Sequence, residues 1–248
     1  MKTGLPLLLV LVVLVAAVRT SVSADQCCEE VTPPRAGQED LECGFKAECN
    51  MQGNCCPDKE NVAMVRQSYT CDVNCLLIKQ IHHEMSASFL YQAYASYFQR
   101  ADVSLPGIQK FFAQASHEER GHADYLIDYV NKRGGHVQLD QLEVDRADWM
   151  EGLMALEDAL AVERFVNRKL LDLHKRADDL GDAHLAHILE HDFLQEQVKA
   201  IYDLGQYVTR LRKFAPKNIR NVRTSSYRLA EYMFDQNLLK SLDKQGST

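Results

Sequence analysis

Glu119 and His122 stand three residues apart in the run Gln114-Ala115-Ser116-His117-Glu118-Glu119-Arg120-Gly121-His122-Ala123-Asp124. On an α-helix that spacing puts a carboxylate and an imidazole on one face, close enough to grip a single metal ion. The pair is common on helices, so its meaning depends on what other segments bring to it. Glu84 and Tyr91 are seven apart, two turns along one face of an otherwise apolar stretch. Glu163 sits among Leu160, Ala161, Val162 and Phe165, and Gln197 lies between Leu194 and Val198. A carboxylate turned into a core needs a partner or a metal. Any one of these could be solvated or make a structural hydrogen bond. One candidate on each of four helices, all compatible with a central layer, points instead to a metal site.

Four helices must hold those residues. Ile78, Ile81, Met85, Phe89 and Leu90 mark an apolar stripe from about residue 72 to 100, followed by a break at 102–106 with a proline stop. Ile108, Phe111, Phe112, Ala115, Leu126, Ile127 and Val130 outline a second helix, ended by Gly134-Gly135. A loop runs on to Asp148, which could cap a third helix carrying Trp149, Leu153, Leu156, Leu160, Val166, Leu170 and Leu171. That helix breaks at 178–182, around Gly181. A fourth, about 184–213, carries Leu185, Ile188, Leu189, Val198, Ile201, Leu204, Val208 and Leu211. A basic linker with Pro216 leads to a short last helix near 226–239. No strand-type alternation competes. Two helical hairpins joined by one long connection describe an all-α four-helix bundle with a single crossover and a short fifth helix.

The chain has 248 residues and a formal net charge of −7. Residues 1–24 read as a signal peptide: Lys2, an apolar run over 5–18, then Val22-Ser23-Ala24 as a small-x-small site before Asp25. The run is shorter than the roughly 18–20 residues that span a bilayer. Cleavage would remove Lys2 and Arg19 but no acid, taking −7 to −9. Such a chain is a poor candidate for nucleic acid and a plausible collector of cations, with no membrane association once the signal is removed. All eight cysteines, at 27, 28, 43, 49, 55, 56, 71 and 75, fall between residues 27 and 75, and none occurs beyond. Behind a signal peptide, a clustered even set reads as disulfides, and the stretch lacks the paired C-x-x-C and His of a zinc knuckle. The adjacent pairs 27/28 and 55/56 leave links within and between chains equally open. The domain reading is therefore signal peptide 1–24, a Cys-rich irregular extension 25–71, and a helical domain 72–248.

Four blocks resemble ferritin in order and spacing: residues 116–123 (SHEERGHA), 131–135 (NKRGG), 194–201 (LQEQVKAI) and 229–235 (LAEYMFD). The resemblance covers residues 72–240 and is to a secreted, heavy-chain-like, ferroxidase-bearing subunit. It implies that Glu84, Glu119 and His122 hold a first iron, that Glu119 bridges to a second completed by Glu163 and Gln197, and that Tyr91 supports them by a hydrogen bond. Two irons per subunit would be oxidised from Fe²⁺ to Fe³⁺ with O₂ as co-substrate. Hard carboxylates with one imidazole suit Fe²⁺ and stabilise Fe³⁺ still more. Gln197-x-x-Ala200 offers the second iron only a neutral amide, suiting release of Fe³⁺ to a mineral over permanent retention.

The same resemblance implies a 24-subunit cage, homomeric or mixed and open to disulfide links between subunits, because the block at 229–235 matches the helix that lines four-fold pores. Glu118 and Asp124 would belong to an inner row of nucleating acids, with Gly121 standing where a further acid is usual. His187 and Glu190 would line three-fold pores, His187 in place of an aspartate. Two other readings compete. A light-chain-like structural subunit would replace the acid and histidine at 119 and 122. An unrelated di-iron oxidoreductase would want a second Glu-x-x-His.

Overall fold

The computed structural model describes residues 64–139, 141–142, 148–149, 151–215 and 225–245. The expected signal peptide, most of the extension and the cysteines at 27, 28, 43, 49, 55 and 56 lie outside the described residues. The helices are α1 (Cys71–Gln99), α2 (Pro106–Lys132), α3 (Gly152–Asp179), α4 (Ala183–Ile188), α5 (Gln195–Arg212) and α6 (Ser225–Gln245), with a π-helical turn over Leu189–Leu194 joining α4 to α5. There is no strand among the described residues, and no helix there is long and apolar enough to cross a membrane. α1 packs on α2 and α3 on α5, the two hairpins meeting through α1 and α3, which is the bundle the periodicity predicts.

Local chemistry sets the ends. The Thr70 hydroxyl accepts from the Val73 N–H at 3.2 Å and caps α1. Pro106 starts α2 where its missing N–H costs nothing. Gly134, at φ 72°, ends α2 in the left-handed conformation that glycine adopts freely. Asp182 caps α4 by accepting from the Leu185 N–H at 3.2 Å. Its carboxylate also takes a two-pronged ion pair from Arg133, at 3.0 and 2.9 Å, tying the end of α2 to the start of α4.

The core is aromatic at one end. Tyr91, Tyr94, Phe98, Phe112 and Trp149 are all fully buried, with Trp149 edge-on to Tyr94 at 4.4 Å between ring centroids. Burying each such ring contributes about 1.5–3 kcal/mol. Trp149 does this from the extended connection, since α3 begins only at Gly152.

Three residues assigned to buried stripes face out instead: Phe89, Leu171 and Val198 are 47%, 48% and 69% exposed. Each lies one or two residues from a true inward position (Tyr91, Leu170, Gln197), hence about 100–160° around the helix.

The last helix is longer than the sequence suggests, 21 residues, and it closes one end of the bundle. Asp235 Oδ1 accepts from the Ile108 N–H at 2.8 Å, and Glu231 Oε1 accepts from the Gly152 N–H at 2.7 Å. α6 thereby supplies the caps that α2 and α3 lack in their own sequences, with acids at the positive ends of both helix dipoles. A side chain at Gly107 would collide with the Asp235 backbone, so glycine is what lets α6 approach this closely.

Candidate metal centre

The sequence places Gln197 inward only with help from the π turn. Leu185, Leu189, Phe193 and Gln197 are all buried and step by four. In a 3.6-residue helix each such step drifts about 40°, which would turn Gln197 roughly 120° off the buried face by the third step. The wider π turn takes up one extra residue and cancels most of that drift. On α1, α2 and α3 ordinary helical phase suffices, and Glu84, Glu119 and Glu163 are each buried.

Two groups of side chains result. In the first, Glu84, Glu119 and His122 converge, each offering a ligand atom within 4.8 Å of the others. His122 Nδ1 lies 3.5 Å from Glu119 Oε2 and 3.9 Å from Glu84 Oε2, while its Nε2 sits 3.1 Å from Glu196 Oε2. The imidazole is thus held from outside by one carboxylate and presents its other nitrogen to the cluster, the usual arrangement of a metal-ligating histidine. Gln80 donates to Glu84 Oε1 at 2.7 Å. Glu84 Oε2 and Glu119 Oε2 are buried without any hydrogen-bond partner. Two buried carboxylate oxygens crowded against each other beside an imidazole fit a cation, which would relieve their repulsion.

In the second group, Tyr91 donates to Glu163 Oε1 at 2.6 Å and Gln197 Nε2 donates to Glu163 Oε2 at 3.0 Å. Both oxygens of Glu163 are therefore occupied. Gln197 also reaches the Glu163 backbone carbonyl at 3.2 Å. Of the six residues named from the sequence, five are buried and His122 is partly so, and they fall into an open half and a self-satisfied half.

The electrostatics follow from crowding acids in a dry place. Burial first, then repulsion from Glu119, pushes the Glu84 carboxyl well above its ordinary range. Burial, then the charge of Glu163, raises Glu119 to about 8. Glu163 is raised by burial, against the pull of its bonds from Tyr91 and Gln197. At neutral pH the site holds protons that a metal ion would displace.

Sequence reasoning missed Gln80 and Glu196. Gln80 was findable, being one turn before Glu84 at i−4. Glu196 was not, because its reach to His122 depends on the register set by the π turn.

The residues expected outside the centre are placed as follows. Glu118 is exposed, with its carboxyl raised by desolvation and then by the charge of Glu196. Asp124 is exposed and paired with Arg120 at 3.1 Å. Gly121 is exposed, with open space where a side chain would stand. Glu190 Oε1 lies 2.8 Å from His174 Nε2, and His187 stacks on His191.

Residues 74–214 match the model of the Ferritin-like domain family. Yolk ferritin of Lymnaea stagnalis is 50% identical, the match covering 63% of this chain and 83% of that protein. Soma ferritin of the same species is 43% identical over 73% of this chain and 98% of its own length. The middle subunit of ferritin from Salmo salar is 44% identical over 71% and 97%. With the helical bundle, these matches settle the family: the chain belongs to the ferritins.

Proposed function

We propose that this chain is an oxidising subunit of an iron-storage cage: it takes up Fe²⁺, passes its electrons to O₂ at a two-iron centre, and lets Fe³⁺ go to a mineral inside an assembly of 24 subunits. The observation that carries the reading is the pair of unpartnered buried oxygens, Glu84 Oε2 and Glu119 Oε2, facing His122.

Iron is substrate and cargo here, not a resident cofactor. The first Fe²⁺ meets Glu84, Glu119 and His122 and displaces the protons that burial keeps on the carboxyls. The second needs Glu163 and Gln197, so Gln197 must turn its amide oxygen inward and release Glu163 Oε2. Glu119, whose carboxyl is raised partly by the Glu163 charge, would be shared between the two ions. Hard oxygens favour the ferric product, while a neutral amide and the methyl of Ala200 give the second ion a weak hold. Such a site turns over. A light-chain-like subunit would lack the acid and imidazole at 119 and 122, and both are present.

Residues 1–24 are read as a secretory signal and 25–71 as a disulfide-bonded extension able to link subunits, consistent with the oxidising compartment that a signal implies. The test is O₂ consumption on addition of Fe²⁺, together with particle size by light scattering. Oxygen uptake by a particle of cage dimensions supports the proposal. A cage that takes up no O₂ is a structural subunit, and oxidation by a small particle is another class of di-iron protein.

A further inference from the structure

Gln80 sits on α1 one turn before Glu84 and is only 1% exposed. An amide buried so deeply is costly unless its hydrogen bonds are made. Its Nε2 donates to Glu84 Oε1 at 2.7 Å, where an amide oxygen would face a carboxylate oxygen. The two oxygens of Glu84 are therefore unlike. Oε1 is held by Gln80, whereas Oε2 is buried without a hydrogen-bond partner among the described residues and lies 3.9 Å from His122 Nδ1. The backbone that carries Glu84 is fixed as well. Ser88 Oγ donates to the Ser116 carbonyl at 2.7 Å, and Ser116 Oγ donates to the Ser88 carbonyl at 2.8 Å. This reciprocal bridge joins α1 to α2 one turn beyond Glu84 and one turn before Glu119. With the helix pinned, the freedom left to Glu84 is rotation of its own carboxylate, and the Gln80 bond removes it.

We propose that Gln80 is a positioning residue for the first metal ion: it confines Glu84 to binding through Oε2 alone. The inference rests on the proposed reading of Glu84, Glu119 and His122 as a cation site, and adds to it a residue that does not touch the ion. A carboxylate can hold a cation with one oxygen or with both, and the second mode fills an extra place around the ion. An N–H donor seated on Oε1 excludes that mode. It keeps room for exchangeable ligands, which an ion that must later leave requires. A neutral donor suits the role, because a lysine or arginine in its place would satisfy Glu84 with a charge and compete with the cation.

The test uses Co²⁺ in place of Fe²⁺, so that binding is read without oxidation. The metal-free full-length protein is titrated with Co²⁺ while its infrared carboxylate stretches are recorded, their separation being wide for one-oxygen and narrow for two-oxygen ligation. The band pair lost in Glu84→Gln identifies Glu84. Gln80→Met keeps the bulk of the side chain and removes its donor, and Gln80→Leu does the same should methionine disturb the packing. Circular dichroism and light scattering check the fold and particle size of each variant. In the parent the Glu84 bands should stand far apart. In the Gln80 variants they should close up, with Co²⁺ bound about 10–100-fold more weakly, the usual cost of losing such a partner. Tyr91→Phe, which alters the Glu163 group instead, should leave the Glu84 bands in place. Narrowly separated Glu84 bands in the parent, bands unmoved in a folded Gln80 variant, or a parent whose Glu84 bands do not respond to Co²⁺ would each overturn the proposal. A parent that shows the expected bands but takes up no O₂ with Fe²⁺ would refute the oxidising role alone, because these readouts need no turnover.

Discussion

Tyr91 on α1 donates a 2.6 Å hydrogen bond to Glu163 on α3, so the first helix decides how the third presents its carboxylate. With Gln197 on the other oxygen at 3.0 Å, Glu163 is fully engaged, whereas Glu84 and Glu119 each keep a buried oxygen unpartnered. The two halves of the centre are thus unequal before any metal arrives. On the proposed reading the open half would bind first, and the closed half would have to rearrange to bind second.

Replacing Tyr91 by Phe tests that inequality. The Tyr91 bond holds the Glu163 carboxyl down against the effect of burial, so its loss raises Glu163 further. Oxidation of Fe²⁺ by Tyr91→Phe should need a higher pH than the parent, with the pH profile displaced upward and the first-iron affinity little changed. Losing a charge-assisted buried hydrogen bond should also cost the apo protein about 1.5–3 kcal/mol in denaturant unfolding. An unshifted profile would mean that Glu163 does not serve the reaction in its ionised form.

The apo protein should gain stability when Glu119 becomes Gln, and the gain should grow with pH. Glu119 has its carboxyl raised from 4.5 to about 8 in the folded chain. Between those values the folded state holds a proton that the unfolded state has lost, so stability falls as pH rises, by about 1.4 kcal/mol per unit at most. Glu119→Gln removes that slope. Melting curves of metal-free parent and variant should lie close together near pH 5 and separate up to about pH 8. Parallel curves would show that Glu119 is ionised throughout and already compensated.

How much of this could be read from the sequence depends on the kind of signal each part leaves. The bundle was legible because its stripes repeat over four helices, and the candidate centre because Glu84, Glu163 and Gln197 stand out in apolar runs while Glu119 and His122 share the Glu-x-x-His spacing. Phe89, Leu171 and Val198 misled because an apolar residue beside an inward position looks like core, although the helix turns it outward. The roles of Glu231 and Asp235 were hidden for another reason. They cap α2 and α3, whose starts lie 127 and 79 residues away in the chain, and no local pattern carries such a relation. Nor does the π turn announce itself, yet it sets where Gln197, Glu196 and His191 point.

Gly121 offers a gain-of-function test of the nucleating row. It is exposed on α2, and a Cβ there would meet nothing within 4 Å. Gly121→Glu should therefore fold, with the helix stabilised by about 0.5–1 kcal/mol. It would add an acid one turn from Glu118 and from Asp124. Growth of the ferric mineral, followed by its absorbance at high iron loading, should start sooner than in the parent, with initial oxidation unchanged. Identical growth curves would remove Glu118 and Asp124 from a nucleating role.

The central claim, that Glu119 and His122 are committed to iron rather than to the fold, meets its most direct test in the double variant Glu119→Lys with His122→Gly. The apolar core of the bundle does not pass through either side chain, and removing an acid relieves repulsion on Glu84. Stopped-flow oxidation of Fe²⁺ at low iron loading, run beside light scattering on the same samples, should show rapid oxidation lost while particle size stays that of the parent. Unchanged oxidation kinetics in an intact particle would contradict the account.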